Sequence, residues 1–385
     1  MTEESFNHGG MIYHQAKQMG VHPTNVLDFS ANINPLGPPV SVTTAIQRAL
    51  PMIVHYPDST QSEVKNTLAD YFGLRSSHFL IGNGASEIID LLFKALNPKR
   101  IVVFEPAFSE YKRAAKRHGI PVLQVPLWKT QDNLWRVQGK SAPNPTELYN
   151  YEMLKQSLRR YTLVLRTGDV VVLNIPHNPT GLCFHLDSWY LLAQEWMQQG
   201  VRVIVDESFL DFLSDETRYT AIPKATDSES LFVVRSATKF YAIPGLRFGF
   251  AIGSSTLFQK IERYRDGWSV NQLAQVAASA AYKDREFQRQ THQWLETERA
   301  HVVRLWEAHP KLTLYMGKVN FFLLHFKNTE LGSQVEEFLR TRNIMIRNCR
   351  NFEGLGASFY RVAIRTHNEN EILYKAITDY LDGCK

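Results

Sequence analysis

The chain has 385 residues, 44% of them hydrophobic and 12% aromatic, enough to bury a sizeable core and to form two domains. Its 43 basic and 38 acidic residues give a formal charge of +5, spread along the chain with no aromatic-basic interleave or finger spacing, which argues against a nucleic-acid binder. The three scattered cysteines, Cys183, Cys349 and Cys384, suggest neither a disulfide frame nor a zinc site, and no apolar run reaches the roughly 18 residues of a membrane span.

Taken in chain order, the N-terminus is polar and acidic rather than leader-like, so a cytoplasmic protein is expected. Residues 1–45, rich in Gly, Pro and Asn ("DFSANINPLGPP"), read as an ordered arm that wraps something. Residues 78–96, "HFLIGNGASEIIDLLFKAL", read as a strand, a Gly-rich turn and a helix. The turn aims the backbone N–H groups of Ala85 and Ser86, beside Gly84, outward at a helix N-terminus, where an anion is favoured. "RIVVFEPA" (100–107) is a buried strand, and the following Lys112, Arg113, Lys116 and Arg117 fall at the spacing of a solvated helix face. The polar stretch 137–150 reads as an exposed loop.

Further strands are expected at 169–176, 201–208, 231–237 and 248–253, with a helix at 186–200 that stops on Gly200. This alternation implies a mostly parallel sheet covered on both faces, with ligands beyond the carboxyl ends of its strands. Beyond about 270 the pattern changes to long helices and then two strands, 320–326 and 357–365, of a smaller α+β domain. The division expected is an arm (1–45), a large domain (46–270) and a small C-terminal domain (271–385).

Polar residues gather where the sheet argument puts a ligand. "NIPHNPTG" sets Asn178 at one strand end, "IVDES" sets Asp206 at the next, and "SATKFYAIPGLRFGF" sets Lys239 three residues after Ser236 and eight before Arg247. An amine, a carboxylate, an amide, an arginine and an anion turn together suit pyridoxal phosphate: its aldehyde takes the amine, its ring nitrogen the carboxylate, its phosphate the turn. No metal is expected.

These motifs, with the closing "RVAIR", resemble the fold type I pyridoxal-phosphate enzymes of the histidinol-phosphate aminotransferase branch, an aspartate aminotransferase-like α/β fold. Within that branch "HGG", "DFSANINPLGPP", "HYPD", "GNGASE" and "RNCRNFEGLG" are similar to the threonine-phosphate decarboxylases of cobalamin synthesis. The resemblance implies that Lys239 bonds the cofactor aldehyde, that Asp206 pairs with the ring nitrogen, that Asn178 meets the ring oxygen and that Phe108 stacks on the ring. It further implies that Gly84, Ala85, Ser86, Ser236, Thr238 and Arg247 hold the cofactor phosphate, joined by Tyr56 from the partner subunit of a homodimer. Arg361 and Asn178 would grip the substrate carboxylate, and Arg347, His8 and Asn32 the substrate phosphate. One position departs from the aminotransferases, which usually carry a tyrosine three residues after the aspartate: here it is Phe209. That departure supports decarboxylation of threonine phosphate or serine phosphate over transamination of histidinol phosphate; a non-catalytic cofactor-binding module is the remaining alternative.

Overall fold

The computed structural model describes residues 9–126, 165–307 and 309–383; the loop expected at 137–150 lies outside them. In chain order the strands are β1 (Leu27–Asp28), β2 (Phe79–Gly82), β3 (Arg100–Glu105), β4 (Val122–Pro126), β5 (Asp169–Asn174), β6 (Arg202–Asp206), β7 (Leu231–Ser236) and β8 (Gly249–Ile252). They continue as β9 (Leu312–Met316), β10 (Phe321–Phe326), β11 (Ile344–Met345), β12 (Arg347–Asn348) and β13 (Phe359–Ala363). The helices used below are α1 (Ile12–Met19), α2 (Val40–Ala49), α3 (Ser62–Phe72), α4 (Ala85–Leu96), α5 (Ser109–Arg117) and α6 (Leu186–Gln198). Towards the C-terminus follow α7 (Gln272–Lys283), α8 (Arg285–Trp306), α9 (Thr329–Thr341) and α10 (His367–Leu381).

Seven strands form the main sheet in the order β2-β8-β7-β6-β5-β3-β4. Strands β4, β3, β5, β6 and β7 run parallel, whereas β8 is antiparallel to both β7 and β2. The interiors of the central strands are apolar runs because the sheet is covered twice. Val171, Leu173, Val203 and Val205 feed a core on one face, while Val170, Val172, Ile204 and Ile101 feed a core on the other. Alternate residues of one β-branched run therefore bury in opposite directions.

Four strands, in the order β12-β13-β10-β9, make a second, antiparallel sheet. The arm is tied to this part of the chain by β1, which pairs in parallel with β11 through Leu27↔Ile344 and Asp28↔Met345. It is tied to the helical turn after β7 and to α8 by the Asn34 amide, which donates to the Phe240 carbonyl and to Thr291 Oγ1, each at 2.9 Å. Helix α7 packs against α2 and α3. Helix α10 opens on a capping box in which Thr366 and Glu369 satisfy each other's backbone N–H groups. No helix among the described residues is long and apolar enough to cross a membrane.

Candidate active site

Parallel pairing sets the strand ends side by side: Asn174 lies opposite Asp206, and Asp206 opposite Val234, two residues before Ser236. These ends open onto one cavity of about 420 Å³, completed by the arm and by β12 and β13.

Lys239 stands in this cavity on a single helical turn, Ala237–Phe240, directly after β7. Its Nζ donates to Ser236 Oγ at 3.1 Å and lies 5.4 Å from the centre of the Phe209 ring. Loss of water pushes the ammonium down from 10.5 to about 8; Asp206 opposes this shift, and the cations Arg247 and Arg361 reinforce it. The neutral, nucleophilic form of the amine is thus far more accessible than in an ordinary lysine.

Asp206 is buried and held at both oxygens. Oδ2 accepts from the Tyr111 hydroxyl at 2.6 Å, and Oδ1 accepts from the Ser208 N–H at 3.0 Å. Burial, and then the Asp206 charge, hold the Tyr111 phenol well above its ordinary value, so it remains a donor. Tyr111 is absent from the residues expected above. The available signal was its position three residues after Phe108, the spacing that stacks side chains on one helix face; the two rings meet edge to face at 5.7 Å.

An anion cradle is built from close approaches that only glycine permits. Gly84 caps α4 at φ +88°, and a Cβ there would lie 2.5 Å from Arg247 Nη2. A Cβ on Gly249 would lie 2.5 Å from the Ala85 nitrogen. The guanidinium therefore rests against the start of α4, whose first N–H groups have no carbonyl one turn earlier. Ser236 Oγ and Thr238 Oγ1, 2.8 Å apart, complete the cradle. Cationic, donor-rich and pre-shaped, it fits the phosphate of pyridoxal phosphate, and the amine at Lys239 and the carboxylate at Asp206 fit the rest of that group.

At the other side of the cavity the register of β12 with β13 sets Arg347 directly opposite Arg361. Both side chains are buried, and like charges so placed repel. Arg361 donates to Asn178 Oδ1 at 2.6 Å and to the Ser30 carbonyl at 2.9 Å, leaving Nε without a partner. Burial, with Arg347 beside it, pushes its guanidinium down to about 10. Arg347 donates to the Asn348 carbonyl at 3.0 Å and to Asn351 Oδ1 at 2.7 Å, and burial lowers it as well. Among the described residues no carboxylate lies within ion-pair distance of Arg361. Asn32, 4% exposed, has no partner at either side-chain atom and also lines the cavity.

The expected residues Ala85, Ser86, Phe108, Asn178, Asp206 and Lys239 line this cavity together with Ser236, Thr238 and Arg247. So do Asn32, Arg347 and Arg361, along with Tyr111 and Phe352, which the sequence reading passed over. Tyr56 does not reach the cavity of its own chain: it is 80% exposed and stacks on Trp268 at 4.7 Å. His8 lies outside the described residues. Phe209 packs edge to face on Phe321 at 5.1 Å, offering Lys239 a ring and no hydroxyl.

The model of the aminotransferase class I and II family matches residues 24–377. The chain is 35% identical to the threonine-phosphate decarboxylase of Salmonella typhimurium, over 98% of this chain and 97% of that one. It is 27% identical to the adenosylcobalamin biosynthesis bifunctional protein CobDQ of Leptospira interrogans, over 98% of this chain and 41% of that one. In fold it superposes on the histidinol-phosphate aminotransferase of Sinorhizobium meliloti, solved with pyridoxal-5'-phosphate, with a TM-score of 0.80 at 18% identity, covering 99% of this chain and 97% of that one.

Proposed function

The chain belongs to the aminotransferase class I and II family, and from that premise we propose that it is a pyridoxal-phosphate-dependent decarboxylase. Its substrate is threonine phosphate, its product an amino-propanol phosphate used in cobalamin synthesis, and its seat the cytoplasm. The observation that carries this reading is the pair of buried arginines, Arg347 and Arg361, set opposite each other at one end of the cavity. Two such charges fit a substrate with two anionic ends, and a phosphorylated amino acid has a carboxylate and a phosphate. The 35% identity to a threonine-phosphate decarboxylase over nearly the whole chain supports the same assignment.

Bound pyridoxal phosphate supplies an aldehyde for amines and a ring that takes up the electrons of whichever Cα bond stands perpendicular to it. Gly84, Ala85, Ser86, Ser236, Thr238 and Arg247 hold its phosphate, Asp206 its ring nitrogen, and Phe108 and Asn178 the ring. Lys239, whose ammonium is lowered to about 8 so that a usable share is neutral at physiological pH, is the nucleophile toward the aldehyde. Arg361 and Asn178 hold the substrate carboxylate; Arg347 and Asn32, with His8, hold the phosphate. Fixing both ends fixes the torsion about the substrate Cα, and that torsion selects loss of carbon dioxide over loss of the Cα proton. Lys239 would take the proton that the substrate ammonium gives up and deliver it to Cα in place of carbon dioxide.

The arm, the large domain and the small domain are assigned to 1–45, 46–270 and 271–385, a division supported by the two separate sheets. The working form is a homodimer. Leu50, Ile53, Val54, Tyr56 and Trp268 are between 47% and 80% exposed, an apolar strip suited to a second copy of the chain. Tyr56 would then complete the partner's phosphate site. Side-by-side turnover of carboxyl-labelled threonine phosphate and serine phosphate tests the activity. Labelled carbon dioxide with one amino-alcohol phosphate per turnover is the expected result. Transfer of the amino group to an added keto acid, with the label retained, would instead establish an aminotransferase.

A further inference from the structure

Helices α8 and α10 carry four potential metal donors at helical spacing, Glu298 and His301 on one and His367 and Glu371 on the other. Residues three or four apart share a helix face, and packing turns these two faces toward each other. Glu298 Oε1 lies 3.2 Å from His367 Nδ1, and His301 Nε2 lies 3.0 Å from Glu371 Oε1. One donor atom from each of Glu298, His301 and His367 falls within 4.8 Å of the others, and the two imidazole rings pack at 3.9 Å.

Two observations point beyond a pair of ordinary histidine–carboxylate contacts. The His301 side chain is nine-tenths buried, yet its Nε2 has no hydrogen-bond partner, because the nearby Glu371 oxygen is out of line with the ring. Glu298, buried as well, has its second oxygen fixed by the Asn370 amide at 2.9 Å, which leaves Oε1 to face the imidazoles. Outer contacts of this kind orient metal ligands. We propose that Glu298, His301 and His367 bind one zinc-class divalent ion, with Glu371 or water as the fourth ligand.

The dimensions fit such an ion. Bonds of about 2.0–2.2 Å in tetrahedral array put ligand atoms about 3.3–3.6 Å apart. The Glu298–His367 separation nearly meets that already, and the His367 side chain, 62% exposed, has room to turn toward the other donors. Two imidazoles and a carboxylate select zinc-class ions over magnesium, which prefers all-oxygen octahedra. The site is separate from the cavity that holds Lys239, since none of its residues lines that cavity. Its effect would be to bolt α10 to α8 at the exit of β13, the strand that carries Arg361.

Calorimetric titration of the untagged, chelator-treated holoenzyme with zinc tests this. The expected result is one ion per chain, a melting temperature raised by a few degrees, and no heat with magnesium. His301→Gln and the exposed His367→Ala should each weaken zinc binding by about tenfold or more. Absence of stoichiometric zinc binding, or parental affinity in both variants, overturns the proposal.

Discussion

The state of the Lys239 amine can be read directly in the protein freed of cofactor. At pH 7 an amine that titrates near 8 is neutral in about one molecule in ten, whereas one at the ordinary 10.5 is neutral in roughly one in three thousand. Capture of the aldehyde needs the neutral amine, so Lys239 should react roughly 300-fold faster at pH 7 than an ordinary lysine of equal access. The assay is stopped-flow absorbance after mixing with pyridoxal phosphate across pH 6 to 10, with a small amine run in parallel as the unshifted reference. The rate should climb about tenfold per pH unit and level off above about pH 8. Charge neighbours fix the direction of two further shifts. Asp206→Asn removes the anion that favours the ammonium and should move the midpoint down; Arg247→Gln removes a cation and should move it up. A profile that still rises beyond about pH 9 would refute the claim that desolvation governs this amine.

Arg347→Lys keeps the charge but loses the planar fork; forfeiting charge-assisted bonds worth about 1.5–3 kcal/mol each should cut kcat/KM for threonine phosphate by about 10²-fold or more. The absorbance of the bound cofactor should not change, and an unaltered KM would remove Arg347 from the phosphate site. Tyr111→Phe deletes the 2.6 Å bond to Asp206 with almost no change of shape. Cofactor retention should weaken by about 10- to 100-fold, read as a dissociation constant by dialysis and fluorescence; retention equal to the parent would make the bond incidental. Phe209→Tyr puts a hydroxyl against Phe321 and should cost about 1–3 kcal/mol in the cofactor-free protein, with much of the loss recovered once the ring oxygen is there to accept it. Thermal melts of both forms check this, and equal losses in the two would contradict it.

Local chemistry made part of this site legible without coordinates. The Gly-rich turn before α4, the proline after Asn178 and the β-branched runs that end at Asp206 and Ser236 are short-range features, and each forces its neighbours to a strand or helix end whatever the rest of the chain does. The reversed direction of β8 was not legible, because a buried strand reads the same in either direction. Tyr111 was missed for a related reason: a tyrosine on an apolar helix face looks like core until the helix is laid over β6 and its hydroxyl meets Asp206.

The sequence by itself determined which residue types stand at the strand ends, and hence the amine, the carboxylate and the anion turn. Only the tertiary structure decided which distant side chains meet. The register of β12 on β13 sets Arg347 against Arg361, and the packing of α8 on α10 sets His301 beside His367. Residues close in sequence are placed by backbone geometry, which a few types of turn and cap dictate. Residues brought together across the chain are placed by register and side-chain packing, where a shift of one position turns every side chain to the other face.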